Sequence, residues 1–232
     1  AVELDQFVPE GGAKNVARRD GMGTTVLSAA TTIGRIPDYY FQAIGSGTGA
    51  IAAWEANIRL IADGRYGSHK MKLMVSQNLP FKPIYDAWNA GSRNMLPLDD
   101  GIARKQVEEI NAKVLSNRKP PYGLTGGLYD AMQDAGGTVL LADNSEAEQA
   151  ADLFIRTEGI DIHPAAAIAT ATLLKESREG RLDRDAVIML NITGGGEERF
   201  KQEKDLFYLK PDKIFGINPD AEQVKKGIEG LY

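Results

Sequence analysis

The sequence contains no cysteine. Disulfides, thiolate nucleophiles and cysteine-ligated zinc are therefore excluded within its 232 residues. Histidine is nearly as scarce. The two copies, His69 and His163, stand far apart and in no metal-ligand spacing, so no metal is expected and each reads as a surface or hydrogen-bonded side chain. Positive charge is in deficit: 27 Lys and Arg against 32 Asp and Glu leave a net charge of −5. That is the opposite of the basic field that grips a nucleic-acid backbone. No apolar run approaches the roughly 18 residues of a membrane span. Neither nucleic acid nor membrane is an expected partner, and the absence of cysteine fits a cytoplasmic protein.

What is present is an ordinary globular composition, 43% hydrophobic and 25% charged. It suffices for one large domain or two small ones with a sizeable core. Buried strands are expected at YYFQAI (39–44), MKLMVSQN (71–78), TVLLADN (138–144) and DAVIMLNI (185–192). Helices are expected at 23–34, 49–62, 81–91, 102–115, 124–137, 146–159 and 163–180, several closed by glycine. Ile51, Trp54, Ile58 and Ile61 share one helical face and predict its core side. Asn144 or Ser145 is expected to cap the helix that follows it. The tail after Phe200 reads as a strand or extended arm with a short helix. This β/α alternation predicts an α/β fold: a mainly parallel open sheet with helices on both faces. Residues 1–200 are expected to form the α/β domain and 201–232 the C-terminal arm and short helix.

Ligands of such sheets bind at the carboxyl ends of the strands. Two glycine-rich loops leave strand ends here, 45–49 and 193–196. The first lies in FQAIGSGTGAIAAWEA (41–56), an apolar strand, a turn of Gly, Ser and Thr, then an Ala-rich helix. Free N–H groups and the positive end of a helix dipole make that turn an anion site, with phosphate as the guest it suits. Gly45, Gly47 and Ala50 also satisfy the dinucleotide pattern G-x-G-x-x-A, but the next strand ends at Ser76-Gln77-Asn78 without the acid that would hold a ribose. A nicotinamide site is therefore disfavoured, while a plain glycine turn stays open.

The second loop, NITGGGEERF, places Thr193 at a strand end, as a hydroxyl facing a ligand or as part of a simple turn. Glu197 and Glu198 are consecutive and read as a solvated pair pointing apart. Glu158 in TEGIDIHPAAA lines a pocket or is merely exposed. Lys14, Arg18 and Arg19 in EGGAKNVARRDGMGT could attract an anion or form a solvated surface.

The segments AIGSGTGAIAAWEA, TEGIDIHPAAAIATATLL and MLNITGGG resemble, in order and spacing, the second half of the fold-type II pyridoxal-phosphate enzymes, the threonine-synthase-like group. The resemblance implies the large-domain fold of that family and pyridoxal 5′-phosphate as cofactor. It implies that Gly45, Ser46, Gly47, Thr48 and Gly49 hold the cofactor phosphate and that Thr193 gives the pyridine nitrogen a neutral partner. Glu158 matches a pocket position only loosely. PEGGAKNVARRDGMGT, SQNLPFKPIYDAWNAG, PPYGLTGG and NITGGGEERF are similar to the branch of the family that makes L-cysteate from O-phospho-L-serine and sulfite, on a route to coenzyme M in methanogens. The likeness covers roughly residues 8 to 200. It implies small anionic substrates, for which Lys14, Arg18, Arg19, Arg118 and Lys119 are candidates on charge alone, and a homo-oligomer.

The family's Schiff-base lysine lies far upstream of the glycine loop, and Lys14, the one lysine before that loop, does not match it. No residue of this chain is therefore assigned as catalytic. The chain is expected to be the C-terminal portion of a longer enzyme, inactive alone. Threonine synthesis from O-phosphohomoserine and a non-catalytic module binding a phosphorylated metabolite are the alternatives.

Overall fold

The computed structural model describes residues 8, 10–207, 209–216 and 219–229. Expectations for residues 1–7 and 9, and for 208, 217, 218 and 230–232 of the arm, lie outside the described residues. The chain runs through α1 (Val16–Ile33), β1 (Tyr39–Ala43), α2 (Thr48–Asp63), β2 (Lys72–Asn78), α3 (Pro83–Asn89), α4 (Asp100–Glu109) and α5 (Leu128–Ala135). It continues through β3 (Thr138–Ala142), α6 (Asn144–Glu158), α7 (Pro164–Arg178), β4 (Ile188–Leu190), α8 (Glu197–Glu203) and α9 (Ala221–Ile228).

The sheet order is β3-β2-β1-β4 and every pairing is parallel. Strands of such sheets are covered on both faces and read as continuous apolar runs. All five residues of β1 are buried accordingly. Tyr40, Leu73, Val75 and Val139 face Val26, Ile51, Leu60 and Met132 from α1, α2 and α5. Tyr39, Phe41 and Met74 meet Leu140, Leu173 and Leu190 on the other face, where Ala43 packs with Ala166 and Ile168 of α7. The expected α/β architecture is the one observed.

Local chemistry moves several boundaries. Helix α1 starts at Val16 because Asn15 accepts a hydrogen bond from the Arg18 amide at 3.1 Å and caps it. The helix expected over 102–115 is capped by Asp99, stops at Glu109 and is followed by a separate 3-10 turn, Lys113–Leu115. Asp143, not Asn144 or Ser145, caps α6, forming a capping box with Glu146. Asn144 instead ties two neighbouring segments together, accepting from the Asn111 amide and donating to the Glu109 carbonyl. The core face of α2 matches the expected one in part: Ile51 is buried and Trp54 and Ile61 are half-buried against the core. Ala50, Ile51, Ala53, Ala56 and Leu60 are buried, whereas Ile58 is 42% exposed. Small alanines let α1 and the sheet approach α2 from two sides, leaving Ile58 at the surface.

In the tail α9 is present, and of the expected strand or extended arm no strand forms among the described residues. Helix α8 runs across residue 200, where the arm is expected to begin. No helix among the described residues is long and apolar enough to cross a membrane.

Candidate functional site

Parallel pairing of β1 with β4 aligns Phe41 with Leu190, so loops 45–49 and 193–196 leave neighbouring strands at the same end. In the first, Gly47 adopts φ 79° and caps α2 without a side-chain hydrogen bond to the first turn. The first-turn N–H groups of a helix lack intrahelical acceptors. Only the Thr48 amide makes a side-chain contact there, 3.4 Å from Ser46 Oγ. The Ser46 and Thr48 hydroxyls bond each other at 2.9 Å.

Glycine is required three times in five residues. A Cβ on Gly45 would lie 2.9 Å from the Val114 carbonyl oxygen, one on Gly47 2.6 Å from Leu128 Cδ2, and one on Gly49 2.5 Å from the Gln42 amide. The loop is thus pressed onto the strand end and the 113–115 turn, with Gly45 and Ser46 half-buried and Gly47–Gly49 buried. First-turn amides of α2 without side-chain partners, beside two hydroxyls, are chemistry that fits a phosphate ester.

The second loop is held from outside. His163 N donates to Gly194 O at 2.9 Å, Gly196 N donates to Asp161 O at 2.8 Å, and Ile162 bridges Gly195. Asp161 Oδ2 also accepts from the Glu198 amide at 3.3 Å, capping α8. Desolvation pushes the Asp161 carboxyl up, but the backbone amides of Glu198, Arg199 and Glu197 outweigh it and hold it below its ordinary range. Thr193 is exposed, and its hydroxyl makes no hydrogen bond among the described residues.

A buried chain of polar groups connects the two loops. Tyr40 OH donates to Gln42 Oε1 at 2.9 Å and accepts from Asn191 Nδ2 at 2.7 Å. Gln42 lies directly under Gly49, and Asn191 stands two residues before Thr193. Burial pushes the Tyr40 phenol well above its ordinary pKa, so it stays neutral.

Residues 4–194 match the family described as "Pyridoxal-phosphate dependent enzyme". The chain belongs to the pyridoxal-phosphate dependent enzyme family. Pyridoxal phosphate is the cofactor of that family. The chain is 53% identical over 220 residues to the cysteate synthase of Methanosarcina acetivorans, covering 94% of this chain and 53% of the relative. It is 51% identical over 228 residues to that of Methanocella paludicola, covering 97% and 53%. The chain thus spans about half the length of the curated relatives it matches. Among solved structures, serine racemase from Dictyostelium discoideum superposes with TM-score 0.55 at 16% identity, over 77% of this chain and 50% of that one. A fungal L-serine ammonia-lyase from Rhizomucor miehei does so with TM-score 0.58 at 15% identity, over 81% and 57%. These two carry the fold of this pyridoxal-phosphate dependent chain, as the sequence leads one to expect.

The five candidate cations have different surroundings. Arg19 is bonded by Glu55 at 2.9 and 3.1 Å, Arg18 by Glu10 at 2.7 Å, and Arg118 by Asp100 at 2.9 Å. Lys14 and Lys119 have no carboxylate within 4.0 Å among the described residues. Lys14 and Arg18 line a cavity of 360 Å³ with Ser46, Thr48 and Asn117, and Thr193 stands outside it.

Glu158 is exposed at the end of α6; the neighbouring Asp161 and His163 are the residues that touch the Thr193 loop. Glu197 and Glu198 are solvated, but they do not point apart: Lys201 reaches both, at 2.9 and 3.1 Å. His163 adds a 3.1 Å contact to Glu197. Among the described residues no cluster of His, Asp or Glu could hold a metal.

Proposed function

We propose that this chain is the cofactor-phosphate-holding portion of an enzyme that converts O-phospho-L-serine and sulfite to L-cysteate and phosphate. The observation that carries the proposal is the identity of 51–54% over most of the chain to several relatives named cysteate synthase. The first turn of α2, whose Gly47 cap makes no side-chain hydrogen bond, supports it.

When bound, pyridoxal phosphate supplies an electron sink for a substrate's α-carbon. Gly45, Ser46, Gly47, Thr48 and Gly49 would hold its phosphate, and the Thr193 hydroxyl would give its ring nitrogen a neutral partner. Tyr40, Gln42 and Asn191 would fix the spacing between those two loops. Overall the substrate's bond to the phosphate oxygen breaks and a bond from carbon to sulfite sulfur forms. The proton taken from the α-carbon returns to it, and no outside oxidant or reductant is needed. In this proposal the family's Schiff-base lysine belongs to a part of the enzyme outside this chain, and the chain alone is inactive. The enzyme acts in the cytoplasm on small anions, on the way to coenzyme M, as a homo-oligomer. The net charge of −5 argues against a nucleic-acid partner.

The test is phosphate release by the full-length protein loaded with pyridoxal phosphate. Sulfite-dependent release from O-phosphoserine is expected. Water-dependent release from O-phosphohomoserine would make the enzyme a threonine synthase. No cofactor uptake and no turnover would leave a non-catalytic module of the same fold.

A further inference from the structure

The outer strands of the sheet are β3 and β4, and their open sides differ. A cavity of 570 Å³ runs beside residues 138–141 of β3 and is lined by Lys175, Glu176 and Arg181. Charged side chains over an edge guard it against further pairing. In β4 the strand itself offers no such guard. Residues 186–192, AVIMLNI, contain no charge and no proline, and all of them are half-buried.

The backbone shows which side of β4 is open. Val187 O accepts from the Tyr39 amide at 3.3 Å, and Asn191 N donates to Phe41 O at 2.9 Å. The two-residue repeat of a strand therefore turns Val187, Met189 and Asn191 toward β1, and the N–H and C=O groups of Ile188 and Leu190 the other way. Among the described residues no strand, turn or side chain bonds those outward groups. Unpaired backbone groups beside half-buried apolar side chains are a template onto which another strand adds.

The match covers 53% of the curated relatives' length, so in a protein of their length nearly half of the polypeptide has still to pack against the part described here. We propose that in the full-length enzyme a strand of that further polypeptide pairs in parallel with the free edge of β4. The direction follows from the sheet, in which every pairing is parallel. It carries the added strand's carboxyl end to the side of Thr193, at the edge where ligands of such sheets bind. The loop leaving that strand then walls the site together with loops 45–49 and 193–196. The added strand depends on the function proposed above only for the existence of the further polypeptide.

The test is site-resolved amide hydrogen exchange on the full-length protein. The Ile188 and Leu190 amides are expected to exchange within about tenfold of the Met189 amide, which faces β1. Exchange of those two at free-peptide rates, with Met189 still protected, leaves the edge in water and overturns the proposal. Protection that is lost on dilution to the monomer assigns the edge to a second copy and overturns it as well. Turnover plays no part in this readout, so a full-length protein that makes no cysteate still decides it.

Direction is read by photo-cross-linking from positions 185 and 193, where Asp185 and Thr193 are exposed just before and just after β4. Both positions are expected to capture the further polypeptide. The partner of 185 should precede the partner of 193 by about eight residues, the strand length between them at ~3.3 Å per residue. The opposite order makes the pairing antiparallel, and capture of residues within 1–232 alone means that no strand is added there. Either result overturns the proposal.

Discussion

The side-chain amide of Asn191 donates to the phenol oxygen of Tyr40 at 2.7 Å, one residue past the end of β4. Tyr40 is 1% exposed and donates its own hydroxyl proton to Gln42. One hydroxyl therefore fixes the distance between the two strands that carry the candidate loops. Another buried phenol, Tyr122, is fully enclosed and has no hydrogen-bond partner among the described residues.

The same substitution should act in opposite directions at these two tyrosines. Tyr40→Phe strands the Asn191 and Gln42 amides and should destabilise by about 1–3 kcal/mol. Tyr122→Phe removes a hydroxyl that pairs with nothing and keeps the edge-on packing with Tyr129 at 5.6 Å. It should be neutral or stabilising by up to about 1 kcal/mol. Urea midpoints of the two full-length variants check this, and equal losses would refute it.

Gly47→Ala forces a left-handed φ on a residue with a Cβ and drives that Cβ to 2.6 Å from Leu128. The backbone part alone costs roughly 1–2 kcal/mol. Because the strain sits in the loop proposed to hold the phosphate, affinity for pyridoxal phosphate should fall at least tenfold, measured by equilibrium titration. Tight cofactor binding by Gly47→Ala would mean that the loop is not the phosphate seat.

The Thr193 hydroxyl has no protein partner among the described residues and the side chain is exposed, so its removal should leave stability untouched. Under the proposed function Thr193→Val should lower kcat about tenfold and shift the cofactor's visible absorbance. Thr193→Ser should keep both. Wild-type turnover in Thr193→Val would remove this residue from the site.

Acid should release the Thr193 loop. Asp161 and Glu197 both have folded pKa values below their ordinary 3.8 and 4.5, Glu197 because Lys201 and then His163 stand beside it. A depressed carboxyl stabilises the fold above its unfolded pKa, and that stability is lost as pH falls through the folded value. The contribution is therefore complete at neutral pH and fades below about pH 4. Amide NMR signals of Gly195–Arg199 should titrate in that window. In Asp161→Asn the step at the Glu198 amide, which Asp161 accepts from, should shrink, and what remains comes from the carboxyl of Glu197. A flat profile in the wild type contradicts the capping role.

Much of this is legible in the sequence because the signals are local. Alternating β and α periods point to the parallel sheet with helices on both faces, and glycine marks both loops at its carboxyl edge. Asn15 is an equally local cap signal, yet apolar periodicity alone starts α1 only at residue 23. Other features depend on contacts that no window of sequence contains. Asp161 caps a helix 37 residues away, so no spacing rule points to it. Gln42 looks like a polar interruption in an apolar strand until Gly49 is folded over it. The alanines of α2 outrank Ile58 in the core because two neighbours close in, and helical periodicity is blind to how many neighbours a helix has.

The Tyr40–Asn191 bond spans 151 residues of chain. Contacts of that range bear a large closure entropy and form late, after local helices and hairpins. The two candidate loops therefore come into register only when nearly all the intervening polypeptide has found its place. Pyridoxal phosphate, if it engages both, binds the finished state alone and shifts the folding equilibrium toward it by mass action. Uptake of a coloured cofactor would then be a late event in refolding, a built-in clock that reads completion of the sheet.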